Sequence, residues 1–164
     1  MKSTNWKPVV EVVGISAVVA SLIFVGIQLR QSQEIAIAET FLSILTSELE
    51  TLNSANEYAE IWTKANSGAE LTDVEATVFA NLVEGLHLRN ARARSQLNRL
   101  GHTDAADLRA ADFASFLYRN PEARKVWDRQ VKVRDQHRAL TNGFIAPFTG
   151  EVRAYLRELD QIPK

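Results

Sequence analysis

Residues 12–29 read VVGISAVVASLIFVGIQL, eighteen consecutive positions without a charge. As an α-helix rising about 1.5 Å per residue, this run spans roughly 27 Å, close to the ~30 Å hydrocarbon core of a bilayer. Three readings compete for it: an uncleaved transmembrane anchor, a cleaved signal peptide and a core helix of a soluble protein. A core helix normally shows a polar stripe, and here only Ser16, Ser21 and Gln28 are polar. Ala36-Ile37-Ala38 imitates a signal cleavage site, yet the apolar region is long for a signal, and Arg30 and Glu34 separate it from that site. The balance favours an anchor. Trp6, Lys7 and Arg30 flank the run as interfacial residues do, Pro8 suits a first helical turn, and Glu11 falls near headgroup depth. Lys2 and Lys7 precede the span, while Arg30 is the only base in the next thirty residues, so the positive-inside rule directs the N-terminus to the cytoplasm and the remaining chain to export. Ser16 with Ala20, and Ala17 with Ser21, are small-xxx-small pairs of the kind that let membrane helices approach.

Outside the span the chain is polar. Its 164 residues amount to one domain, and 19 basic against 20 acidic residues leave a net charge of −1, which excludes nucleic-acid binding driven by bulk charge. The absence of cysteine removes disulfides, thiolate metal sites and thiol nucleophiles. Seven glycines and four prolines are too few for a turn-rich all-β protein. The neutral total hides an asymmetry: Glu34 to Glu84 holds ten acids and one base, Lys64, whereas Gly85 to Arg138 holds twelve bases and six acids. An acidic first half and a basic second half suit antiparallel helices with complementary surfaces; a basic face for anionic headgroups, with Arg89, Arg92 and Arg99 in one sector, is the functional rival.

The periodicity after Arg30 is helical almost throughout. It predicts an all-α fold: an N-terminal transmembrane helix, residues 1–30 serving as anchor, continuing into an antiparallel bundle of about four to five helices over residues 31–164. Ile35, Ala38, Leu42, Leu45, Leu49 and Leu52 alternate three- and four-residue spacings, a short heptad seam read first as one face of that bundle and second as a homodimeric coiled coil. Ser54 with Glu57, and Thr72 with Glu75, are capping-box patterns. Gly101 suits a helix end, and Asn120-Pro121 suits the end of one helix and the start of the next. Phe79, Leu82, Val83, Leu86, Ala93, Leu97 and Leu100 project onto one face with Asn90 in its middle, so Asn90 is expected to be buried, with Gln130 or His137 as partner. Val126, Val133 and Leu140 repeat by seven, Phe144 to Phe148 reads as an apolar loop over the bundle end, and Thr149 reads as the cap of a last helix.

The order of these features resembles a family of uncharacterised, mainly proteobacterial, membrane proteins. Their spans close on S-L-I-[FY]-[VL]-G-[IL]-Q-[IL]-R-Q-N, matched by Ser21-Leu22-Ile23-Phe24-Val25-Gly26-Ile27-Gln28-Leu29-Arg30-Gln31, with Ser32 in place of the usual Asn. Weaker likenesses follow at Leu71 to Glu75, at Phe116 to Trp127 and at Glu151 to Leu156. The resemblance implies a single-pass protein of a bacterial inner membrane with an all-helical domain, on the periplasmic side by the charge rule above. It carries no catalytic residue with it.

The sharpest chemical pattern is Glu84-Gly85-Leu86-His87, because Glu-x-x-His is the repeated half-motif of di-iron carboxylate bundles. One copy stands here where two are needed, and projection turns Glu84 toward solvent. His137 shares a face with Val126 and Val133 and reads as a core or boundary residue, and His102 as a helix-end residue. There is no G-x-S-x-G elbow, P-loop or G-x-G-x-x-G. No catalytic, cofactor-binding or metal-ligating residue is therefore assigned, and the chain is not read as an enzyme. Two functions remain: a membrane-tethered helical interaction or scaffold module, partnered by the lipid bilayer, another envelope protein or a second copy, and an extracytoplasmic small-ligand sensor acting through a partner protein.

Overall fold

The computed structural model describes residues 6–136 and 143–162. The described residues form six α-helices and no strand: α1 (Lys7–Glu57), α2 (Ala59–Asn66), α3 (Asp73–Arg99), α4 (Thr103–Arg119), α5 (Pro121–Gln136) and α6 (Ile145–Leu159). The all-α class is the one the periodicity dictates. The chain divides into two compact units, residues 1–42 and residues 43–164. In the first, α1 exposes every side chain from Val10 to Ala36 and is long and apolar enough to cross a membrane.

In the second unit, local chemistry accounts for most helix ends. Thr72 Oγ1 accepts from the Glu75 backbone N–H at 3.3 Å, and Glu75 Oε2 accepts from the Thr72 N–H at 2.7 Å, so α3 begins with a complete capping box. Lys64 Nζ reaches both oxygens of the same carboxylate, at 2.7 and 2.8 Å, and ties α2 to this start. The lysine and the cap together hold Glu75 down to a pKa of about 2. At the far end of α3, the His102 N–H donates to Leu97 O and the Gly101 N–H to Asn98 O, with Gly101 at φ +81°. This is the Schellman pattern, and it needs the left-handed conformation that glycine tolerates.

Two expected boundaries lie elsewhere, at Ser54 and at Phe144 to Phe148, and a third, at Asn120-Pro121, stands where expected but without the side-chain cap. Ser54 does not cap a helix, because α1 runs through it to Glu57 and its carbonyl accepts from the Tyr58 N–H; α2 starts at Ala59 without a side-chain cap. Pro121 does begin α5, but the Asn120 side-chain amide donates backward to Phe116 O at 2.8 Å and closes α4. The stretch Phe144 to Phe148 is not a loop: α6 begins at Ile145, Pro147 sits in its first turn where no N–H is required, and Ile145 and Phe148 point inward. Thr149 therefore lies inside α6, buried, with its hydroxyl on Ile145 O.

Helix α4 packs against α3, α5 and α6. Ala106, Ala110 and Ala114 recur every four residues on it and are fully buried, so the neighbouring backbones can approach closely. Phe113 and Leu117 fill the space beside them, against Phe79 and Val83 of α3, Trp127 and Val131 of α5, and Phe148, Val152 and Leu156 of α6. Each fully buried large side chain contributes about 1.5–3 kcal/mol.

Two apolar stripes are corrected. On α1, Leu45, Leu49 and Leu52 are 54%, 62% and 59% exposed, while Ile44 is buried with Ala93, Leu97 and Ala106. The inward face of this part of α1 is Ile44, Ser47, Glu48 and Thr51, because the surface opposite offers Arg109, which pairs with Glu48. The heptad seam is thus not a face of the intramolecular bundle. On α5, Val133 is exposed and Val126 half-buried; the buried set is Ala123, Trp127 and Val131, with Gln130 and Arg134 turned partly inward. Leu140 and His137 lie outside the described residues.

Two glycines give opposite expectations for one substitution. Among the described residues, nothing beyond the adjoining chain and the helix's own backbone would lie within 4 Å of a methyl group at Gly101 or at Gly85. Gly101→Ala forces alanine into the left-handed region and should destabilise the chain by about 1–2 kcal/mol. Gly85→Ala, in the interior of α3, should stabilise it by about 0.5–1 kcal/mol. Urea unfolding of the full chain in detergent micelles reads both signs.

Candidate functional site

Glu84 and His87 lie one turn apart on α3, and a cation bridges them. The cation is the guanidinium of Arg134 from α5: Nη1 donates to Glu84 Oε1, and Nη2 donates to His87 Nδ1 at 2.8 Å. Glu84 is accordingly half-buried and directed at α5, contrary to its projected solvent position; α3 is packed by α2, α4, α5 and α6, so its inward sector is wider than one face. Arg134 holds the place that the Glu-x-x-His half-motif would give to a metal.

His87 is completely buried. Arginine can only donate, so Nδ1 must present its lone pair and the ring proton resides on Nε2. Nε2 in turn faces Thr149 Oγ1 at 3.3 Å, and that hydroxyl donates to Ile145 O at 2.9 Å. The polar chain thus runs from α5 through α3 into α6 with each donor matched to an acceptor. Phe113 and Phe148 stack on the imidazole at centroid distances of 5.7 and 5.6 Å, and Trp127 meets it edge-on at 6.0 Å. Burial, and secondarily the Arg134 charge, push the His87 pKa down to about 3. The ring is a neutral, fixed element of the core.

Asn90, one turn further, is buried as its projection requires. Its amide nitrogen donates to Leu86 O at 2.8 Å within α3, whereas the Gln130 amide donates to Ala80 O at 2.9 Å. The expected Asn90–Gln130 contact is replaced by two bonds to helix carbonyls, and His137 is outside the described residues.

On the other side of α3 lies an open cavity of about 340 Å³. The end of α1 and α2 supply Leu52 and Trp62, α3 supplies Leu82, Leu86 and Arg89, and α4 supplies Phe116. Trp62 stacks with Phe116 at 5.5 Å and tilts on Phe79 at 5.1 Å, which fixes the aromatic wall. The volume is within the range of small-molecule sites. Arg89 Nε is buried and has no hydrogen-bond partner among the described residues, and burial lowers the pKa of this guanidinium. Glu48 acts on it from α1 but is itself bonded by Arg109.

The contrast between acidic and basic halves is realised only in part. Arg109–Glu48 and Arg134–Glu84 join the two halves, but Arg94–Glu151, Arg124–Asp160 and Arg153–Asp135 connect α3 and α5 to the end of the chain. Arg92 and Arg99 are exposed, while Arg89 faces the cavity. The residues that sequence reasoning missed are Arg134, Thr149 and Trp62. Glu84-x-x-His87 was the available signal for the first, since a carboxylate and an imidazole on one turn attract a cation of any kind. Comparison with protein families, curated proteins and solved structures gives no match to this chain.

The buried histidine sets an acid response. Between pH 6.5 and about 3 the unfolded chain binds a proton at His87 that the folded chain refuses. Stability from this group is complete above pH 6.5 and declines as pH falls, by up to about 1.4 kcal/mol per pH unit. Glu75 adds a second loss, confined to lower pH, as its carboxylate is protonated. Urea midpoints of the full chain should therefore fall from pH 7 to pH 5, and His87→Gln should flatten that slope whatever it does to the absolute midpoint. An equally steep slope in the variant would refute the assignment.

Proposed function

We propose that the chain is a single-pass protein of a bacterial inner membrane, anchored by its N-terminal helix, whose helical domain is an interaction module on the periplasmic side. The observation that carries the interaction reading is the exposed stripe Leu45, Leu49 and Leu52, a heptad seam that the domain's own core leaves uncovered. The anchor reading draws on the charge-free run and on the complete exposure of α1 from Val10 to Ala36. The side of the membrane draws on Lys2 and Lys7 against Arg30. The family resemblance supports the anchor reading.

The partner is a helix with its own leucine seam and basic flanking positions. Every charge on α1 after Arg30 is acidic, namely Glu34, Glu39, Glu48, Glu50 and Glu57. A parallel second copy would set Glu34 of one chain against Glu39 of the other, which disfavours self-pairing. Tethering both partners to one membrane raises their effective concentration, so a short seam suffices.

A photo-reactive residue at position 49 of the full chain, in native membranes, should crosslink to a peptide that is an amphipathic helix flanked by Lys or Arg. The same probe at position 50, off the seam, should not. A crosslink between two copies of the chain overturns the charge argument, and no seam-specific adduct overturns the module. Carbonate extraction should leave the chain in the membrane pellet; its release would remove the anchor.

A further inference from the structure

The cavity beside Arg89 has the composition of a ligand site and adjoins the exposed leucine seam at Leu52. We propose that it binds a small monocarboxylate with an unbranched apolar body, the carboxylate on the Arg89 guanidinium and the body against Trp62, Leu82, Leu86 and Phe116. Three observations select that chemistry. No carboxylate lines the cavity, and Arg89 is its one cation among the described residues. Two of the neutral polar lining groups already donate to helix carbonyls, the Thr51 hydroxyl to Ser47 O and the Asn120 amide to Phe116 O, each at 2.8 Å, which leaves Arg89 as the charged donor of the site. Around Arg89 the charges do not cancel, because Glu48 is shared with Arg109 and two guanidiniums face one carboxylate. An anion entering from the cavity completes the pairing, and a charge-assisted bond in a partly desolvated site is stronger than a neutral one. A cation is opposed by Arg89, and a neutral apolar molecule would leave its charge uncompensated.

The test uses the full chain in phosphatidylcholine nanodiscs, labelled at its tryptophan indoles and titrated with octanoate, octanol or octylamine. Octanoate should shift the Trp62 indole resonance saturably while leaving that of Trp6, which lies beside the apolar run, unchanged. Octanol should bind at least tenfold more weakly and octylamine not measurably. Arg89→Gln should weaken octanoate at least tenfold, and Glu48→Gln, which removes the competing carboxylate, should tighten it. The Glu48 variant keeps the proposal falsifiable if Arg89→Gln fails to fold. Equal shifts by octanol and octanoate, shifts at Trp6 alone from uptake into lipid, or tighter binding absent in Glu48→Gln would each overturn it. None of these results depends on the partner helix of the leucine seam.

Discussion

The guanidinium of Arg134 lies between Glu84 and His87, and the arrangement of α3, α5 and α6 depends on it. A buried cation is costly unless it is paired, and here one carboxylate and one imidazole lone pair meet it. The arginine fixes the histidine tautomer, the tautomer fixes the donor to Thr149, and Thr149 passes the bond to the backbone of α6. Hydrogen bonds are directional where apolar contact is not, so this chain sets the register of three helices that leucines alone would leave free to slide. The aromatic cage obeys the same constraint: Phe113 and Phe148 stack on an imidazole that is neutral and held in one plane.

Around this centre the helices divide the work. Among the described residues the ion pair of α4 goes to α1, through Arg109 and Glu48; toward α3 and α6 its alanine row lets both come close, and Phe113 reaches the histidine from it. Helix α6 holds its neighbours by charge as well as by packing, through Glu151 to Arg94 of α3 and Arg153 to Asp135 of α5. The exposed Arg153–Asp135 pair contributes below ~1 kcal/mol, while Arg94–Glu151 is partly buried. Their value is selective: a shifted α6 would forfeit both together with the Thr149 bond.

The fold class was legible because helix punctuation is local. A threonine and a glutamate three residues apart, a glycine after the last apolar position and a proline after an asparagine act within one turn, and each marks a boundary in the structure near where it stands in the sequence. Faces were less legible, because projection assumes one buried side per helix. It placed Asn90 correctly but turned Glu84 outward, since α3 has neighbours over most of its circumference. It chose Val133 over Trp127 because a seven-residue repeat of valines mimics a core stripe that α5 builds instead from a tryptophan and a valine four residues apart. The Glu84–His87 pattern was visible as a pair of ligands; what they hold comes from α5, fifty residues away in the case of Glu84 and Arg134, and no local rule reports that. The cavity was illegible for the same reason, being assembled from four helices.

The end of α1 carries this argument furthest. Leucines on a helix beside a protein core would ordinarily be the residues buried, and here they are not. The surface that α3 and α4 present is shallow, made of Ala93 and Ala106, and charged, with Arg109 reaching Glu48. A leucine at position 48 would leave Arg109 without its carboxylate, and the helix is rotated accordingly: Ile44 takes the shallow site, Glu48 takes the arginine, and small polar residues occupy the turns between and beyond. The rotation that satisfies the charge is the one that sends Leu45, Leu49 and Leu52 outward. The exposed seam thus follows from an ion pair and an isoleucine contact on the adjoining face. At about 100° per residue Leu52, Leu45 and Leu49 stand roughly 40°, 60° and 100° round the helix from Glu48 on the side away from Ile44, so it is Ile44 seated against Ala93 and Ala106, together with the Glu48–Arg109 pair, that holds the helix with these leucines outward.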